Sequence, residues 1–112
     1  MSVRGVNALE GTVEFVVKAG KFRYDDGQYH SLVELHPADG TVSLVKDSDN
    51  WLRLKHVVAG TGERRSETGL EFDASSLSEE RSHYFAITWS VTTKKLILYV
   101  DGVAVKEKDI AY

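Results

Sequence analysis

The chain has 112 residues, enough for one domain, and its 42% hydrophobic, 10% aromatic and 28% charged content is that of a globule with a core. A formal net charge of −3 gives no support for a phosphate-binding basic face, and no apolar run approaches the roughly 20 residues of a membrane span. The absence of cysteine excludes disulfides, thiol nucleophiles and thiolate metal sites.

Residues 1–9 are read as flexible or as an edge strand, and Met1 to Asn7 lack the apolar stretch of a signal peptide. Alternation then dominates. Val13, Phe15 and Val17 face one way and Thr12, Glu14 and Lys18 the other, with Val16 the exception, so 11–18 is a half-buried strand. Tyr29 to His36 reads as a second strand. Pro37 to Gly40 is a turn, and Thr41 to Lys46 a third strand. After the turn formers Asp47 to Asn50, Trp51 to Val58 sets Leu52, Leu54 and Val58 against Arg53 and Lys55. Ala59 to Arg65 is a glycine-bearing loop. Ser66 to Asp73 is a strand whose Gly69 suggests a bulge.

Ala74 to Arg81 is the single helical candidate, one or two turns long, with Ser75 or Ser76 as its cap. His83 to Trp89 is the clearest strand, with Phe85, Ile87 and Trp89 on the core face. Two further strands, Lys95 to Val100 and Val103 to Ile110, flank an Asp101-Gly102 hairpin turn. The expected fold is therefore all-β, a two-sheet antiparallel sandwich spanning 1–112 as a single domain.

Three ordered pieces narrow that expectation. They are Glu10-Gly11-Thr12-Val13-Glu14-Phe15, His83-Tyr84-Phe85-Ala86-Ile87-Thr88-Trp89, and Leu98-Tyr99-Val100-Asp101-Gly102. Over residues 10–105 they resemble the laminin-G-like, concanavalin A-like jelly-roll family of lectins and glucanases. The matching positions are His83, Ala86, Thr88, Tyr99, Asp101 and Gly102, while Ser82 stands where the family has tryptophan. The resemblance implies a jelly roll, an extracellular or a cell- or virion-surface setting, and recognition of carbohydrate or another surface ligand. Against that family the chain is abbreviated at both flanks. The expectation is a homodimer whose protomers complete each other's sheet edges.

The search for chemistry returns little that is catalytic. The glucanase pattern Glu-x-Asp-x-x-Glu is met by Glu71 and Asp73 but has Ser76 at its third position, so a glycoside hydrolase is not expected. His30, His36, His56 and His83 show no zinc spacing, and His83 reads as a structural hydrogen-bonding residue. Relatives of this kind bind calcium through loop carboxylates, which makes Asp25, Asp26, Asp47 and Asp49 the candidate metal ligands, although ordinary turns have the same composition. Sugar recognition needs flat aromatics beside amides, and Trp51, Tyr24, Tyr29, Asn50 and Gln28 are the candidates. Arg64-Arg65 is a cationic loop pair partly neutralised by Glu63 and Glu67. A non-catalytic binding module is the leading reading, and a structural or assembly protein acting through homo-oligomeric contacts is the alternative.

Overall fold

Alternating side chains become a core only when two sheets face each other, and here they do. A computed structural model describes residues 2–4, 8–59 and 65–110, with residues 2–4 and 65 described in their backbone only. Among these residues the strands are β1 (Ser2–Arg4), β2 (Glu10–Val17), β3 (His30–Leu35), β4 (Gly40–Lys46), β5 (Trp51–Ala59), β6 (Arg65–Asp73), β7 (His83–Ser90), β8 (Lys95–Val100) and β9 (Val103–Asp109). All pairings are antiparallel. One sheet has the order β1-β2-β7-β8-β9 and the other β3-β4-β5-β6. No helix of the described residues is long and apolar enough to cross a membrane.

The period-two pattern places the core. Val13 and Phe15 from β2, Phe85, Ile87 and Trp89 from β7, and Leu96, Leu98 and Val100 from β8 meet Val42, Leu44, Leu52, Leu54 and Leu70 from the other sheet in one apolar cluster. Burial of these side chains is the main favourable contribution to folding. Val16 points outward, as its place in the alternation requires. The β8–β9 turn uses positive φ at both Asp101 (53°) and Gly102 (83°), the geometry that a tight hairpin with right-handed strand twist needs.

Two sequence-based expectations are corrected. Gly69 marks no bulge: it pairs with Lys55 inside a ladder that runs unbroken from Trp51↔Asp73 to Ala59↔Arg65. A glycine keeps both of its ladder groups, so pairing continues through it. The register shifts instead at Leu32 in β3 and at Val105 in β9. The helical candidate is a single 3-10 turn, Ala74–Ser76, capped by Asp73 rather than by Ser75 or Ser76. Asp73 Oδ1 accepts from Ser75 N at 2.9 Å and from Ser75 Oγ at 2.7 Å. Beyond it the carbonyls of Ser78 and Glu79 accept from His83 Nε2 (2.8 Å) and Gly20 N (2.8 Å). Those tertiary bonds take the acceptors that further helix would use. The loop residues 60–64, and with them the Arg64-Arg65 pair, lie outside the described side chains.

The strand order gathers the connections at two ends. One end holds 18–29, 47–50, 74–82 and 101–102. The other is closed around Asp39: its carboxylate accepts from Ala8 N at 2.8 Å and its carbonyl from Ala59 N at 2.8 Å. His56 is wholly buried there, on the core face of β5, and donates from Nε2 to the Ala8 carbonyl at 2.7 Å. Burial pushes the His56 pKa down, against weaker opposing effects of the Ala8 carbonyl and Asp39. Gly40 begins β4 in the same region, and a Cβ there would overlap the Val57 carbonyl oxygen and crowd the Ala8 side chain at 2.7 Å.

Two predictions follow from this end. Gly40→Ala costs about 1–3 kcal/mol, because backbone must move to admit one methyl group, and a urea unfolding curve measures the loss. Burial sets the His56 pKa of the folded chain below the unfolded value near 6.5, so protons favour the unfolded chain. Its contribution is complete above about pH 6.5 and is lost as pH falls, by up to about 1.4 kcal/mol per pH unit. Unfolding curves between pH 7 and 5 in the wild type and in His56→Gln will show the slope flattened in the variant.

Candidate functional site

The end that carries 18–29 and 47–50 is organised by a lysine in the core. In β4 the inward positions run Val42, Leu44, Lys46, so strand alternation drives the Lys46 side chain inside, where it is 0% exposed. Its ammonium meets Asp26 Oδ1 at 2.8 Å, Asn50 Oδ1 at 3.1 Å and the Asp47 carbonyl at 3.3 Å. Three acceptors match its three donors. Asp26 has further partners in His30 Nε2 at 2.8 Å and the Gln28 amide at 2.9 Å. The bond from Lys46 holds the Asp26 carboxyl far below the usual range; partial burial opposes it, and His30 and the Gln28 amide assist.

The same contacts tie two loops together. Asn50, at φ 67°, turns its Oδ1 to the Gly27 amide at 2.8 Å as well as to Lys46. The 25–29 and 47–50 segments are thereby one unit. They present Tyr29 at 57% and Trp51 at 36% exposure, and Gln28 is exposed between Gly27 and Tyr29. Trp51 opens β5 on the outer face of the four-stranded sheet, opposite Asp73.

Arg53 stands two residues along on that face. It grips Asp49 through two bonds (Nη1–Oδ1 2.9 Å, Nη2–Oδ2 2.6 Å), reaches Asp47 Oδ2 at 2.7 Å, and lies 3.8 Å from Glu71. Asp49 also accepts from the Trp51 amide at 3.1 Å. Hydrogen bonding to Arg53 lowers the Asp49 pKa to about 2, and bonding first to Asp49 and then to Asp47 raises that of Arg53. The fork geometry of a guanidinium on a carboxylate orients the loop as well as neutralising it.

Of the candidate ligand residues, Gln28, Tyr29 and Asn50 belong to this loop unit, joined through Gly27, and Trp51 follows it as the first residue of β5. Tyr24 does not join them at the surface. It is 2% exposed and lies edge-on to His83, with ring centroids 5.4 Å apart. Its hydroxyl is buried without a hydrogen-bond partner, and burial, followed by the charge of Asp101, pushes its pKa up to about 12. Phe22 connects the two regions, packed on Tyr24 at 4.8 Å and stacked on His30 at 4.2 Å.

The four candidate metal ligands do not converge. Asp25 pairs with Arg23 at 3.2 Å, Asp26 with Lys46, and Asp47 and Asp49 with Arg53. Among the described residues no group of three or more histidines, aspartates or glutamates is arranged to hold a metal. Glu71 faces Arg53, and Asp73 serves as the cap of the 3-10 turn.

His83 begins β7 almost fully buried, with Nδ1 at 2.7 Å from Asp101 Oδ2 and Nε2 at 2.8 Å from the Ser78 carbonyl. Asp101 Oδ1 accepts from the Tyr84 amide at 2.9 Å. Partial burial raises the Asp101 pKa, but the His83 and Tyr84 bonds and the nearby positive charges outweigh it and the net shift is downward. Sequence reasoning missed Lys46, His30 and Arg53 as organisers. The signal for Lys46 was present in its inward position after Val42 and Leu44. Nothing local marks the partners of Arg53 before the 47–50 turn is folded.

Comparison of the chain with family models, curated proteins and solved structures finds no match. The laminin-G-like resemblance therefore rests on the motif residues themselves.

The buried pair makes a prediction by its asymmetry. Asp26→Ala strands a fully buried ammonium, whereas Lys46→Met fills the same space with an apolar chain and leaves Asp26 its bonds from His30 and the Gln28 amide. Asp26→Ala should lower the melting temperature by roughly 10 °C and Lys46→Met by less than about half of that. Adding Lys46→Met to Asp26→Ala should restore part of the loss, as a double-mutant cycle of thermal melts will measure.

Proposed function

We propose that this β-sandwich is a non-catalytic binding module and that its ligand surface is the joined loop unit of Gln28, Tyr29, Asn50 and Trp51. The observation that carries the reading is the shared anchor. Asn50 Oδ1 and Asp26 bind one buried ammonium, so both exposed aromatics are held on a fixed support before any ligand arrives. A preorganised surface spends little entropy on ordering itself. Flat aromatic faces beside the exposed Gln28 amide suit the apolar ring faces and hydroxyls of a carbohydrate, and that is the ligand class proposed. Loops set on a rigid sheet are a usual place for recognition. The contact between His83 and Asp101, both motif positions of the laminin-G-like resemblance, supports the same reading. Surface or extracellular placement belongs to this proposal too.

Assembly with a second copy is the other reading, and it has one observation in its favour: β1, β3, β6 and β9 are the outer strands of their sheets among the described residues. It ranks second because those edges carry features that discourage pairing. β9 reads Lys106-Glu107-Lys108-Asp109 along its exposed stretch, and β3 contains Glu34 and a bulge.

A glycan array followed by titration tests the first reading. Saturable binding should fall by roughly fivefold in Trp51→Ala and in Tyr29→Ala, since stacked aromatic contacts of this kind contribute about 1 kcal/mol each. The melting temperatures of both variants should stay close to wild type. An array without hits, combined with a stable dimer in sedimentation, would transfer the argument to assembly.

A further inference from the structure

The two open sides of the sandwich differ. On one, β6 and β9 lie against each other. On the other, the edge of β2 and the edge of β3 flank a slot of about 300 Å³. Phe15 and Val17 from β2, Phe22 from the loop and Leu32 from β3 form its apolar walls. Phe15 is fixed by stacking on Phe85, with centroids 5.4 Å apart, and Phe22 by stacking on His30. Leu32 is the extra residue of the β3 bulge, between Ser31↔Val45 and Val33↔Leu44. A bulge re-aims a side chain that regular pairing would place elsewhere, and this one lines the slot.

Lys18 and Lys21 stand at the rim, in a turn closed by a 3.2 Å bond from the Lys21 amide to the Lys18 carbonyl. Neither has an ion-pair partner among the described residues, although Lys46, Lys55 and Lys95 all do. A largely apolar slot with two lysines free of ion pairs among the described residues at its mouth is complementary to a small ligand with an apolar tail and an anionic head. Its volume is at the lower end of small-molecule sites. Strand addition fits less well. Beyond its pairing with β1, which covers Thr12 to Glu14, β2 offers only Phe15–Val17, and the bulge interrupts the β3 edge.

We infer that this slot binds a small anionic amphiphile, a carboxylate with a short alkyl or aromatic tail, with Lys18 and Lys21 receiving the head group. The site lies apart from Trp51 and shares with that surface only the Phe22–His30–Asp26 support.

The test is a titration of the ¹⁵N-labelled full chain with octanoate, with octylamine as the cationic counterpart and 1-octanol as the neutral one. Octanoate should give saturable shifts confined to residues 15–22 and 31–33. It should bind about tenfold tighter than octanol, as two exposed charge pairs of ordinary strength allow, and octylamine should bind weakest. The Lys18→Gln/Lys21→Gln variant should bind octanoate about tenfold more weakly, retain octanol binding and keep the wild-type melting temperature. Trp51→Ala should leave octanoate binding unchanged. High salt should shrink the octanoate advantage. Equal binding of octanoate and octylamine, shifts mapped away from the slot, or no saturation would overturn the inference. So would a dimer joined through this side in sedimentation and broken by Leu32→Asp, or an acidic–apolar peptide that pairs with β3 and displaces octanoate.

Discussion

An ammonium removed from water must find its acceptors inside the protein, because an unpaired charge in an apolar interior costs far more than one side chain's packing returns. Lys46 faces that constraint at the end of β4. Its acceptors come from three places: Asp26 in the long loop after β2, Asn50 beside β5, and the backbone of Asp47. Meeting the demand of one side chain therefore fixes two loops that are far apart in sequence. The consequences spread from there. Asp26 orients His30, His30 stacks on Phe22, Phe22 packs on Tyr24, and Tyr24 meets the edge of His83. His83 in turn is bonded to Asp101 in the β8–β9 hairpin. One line of polar and aromatic contacts thus joins both sheets at this end.

The opposite end reaches closure by different means. There the organising groups are a carboxylate and a buried imidazole, Asp39 and His56, and the main contact is a backbone approach that leaves no room for a Cβ at Gly40. A cation dominates one end and tight backbone packing the other. The lateral sides differ too, with β6 against β9 on one and a slot between β2 and β3 on the other. Such asymmetry gives a small sandwich distinct surfaces without added elements. The loop surface with Tyr29 and Trp51 and the lysine-rimmed slot are two outcomes of it, joined through Phe22 and His30.

Much of the fold was legible. Strict alternation in Val13, Phe15, Val17 and in Phe85, Ile87, Trp89 predicts inward faces, and those residues are core. Asp101-Gly102 predicts a tight hairpin because few residue pairs accept positive φ in succession. The site was less legible. Tyr24 and Tyr29 flank the same polar tetrapeptide, yet Tyr24 is core and Tyr29 is surface, because only tertiary packing of Phe22 and His83 decides which ring is covered. The four aspartates have the composition of a cation site, but their partners are the protein's own Arg23, Lys46 and Arg53. Spacing reveals a carboxylate and stays silent on which cation reaches it first. Gly69 reverses expectation, being an ordinary ladder residue, whereas Gly40 closes the expected turn from Pro37 and is further required by a close approach from β5.

By itself, the sequence determined the all-β character, eight of the strands, the inward faces of β2, β5 and β7 and the hairpin turns, since these follow from local periodicity and from the backbone preferences of turn residues. Tertiary structure alone decided which edges meet, where the bulges fall, which loops share an anchor and which charges remain unspent. Those outcomes depend on contacts between residues such as Asp26 and Lys46, or Gly27 and Asn50, whose separation in the chain leaves no local trace. The proposed ligand surface and the slot both belong to this second group, because each is assembled from segments that only the packed sandwich brings together.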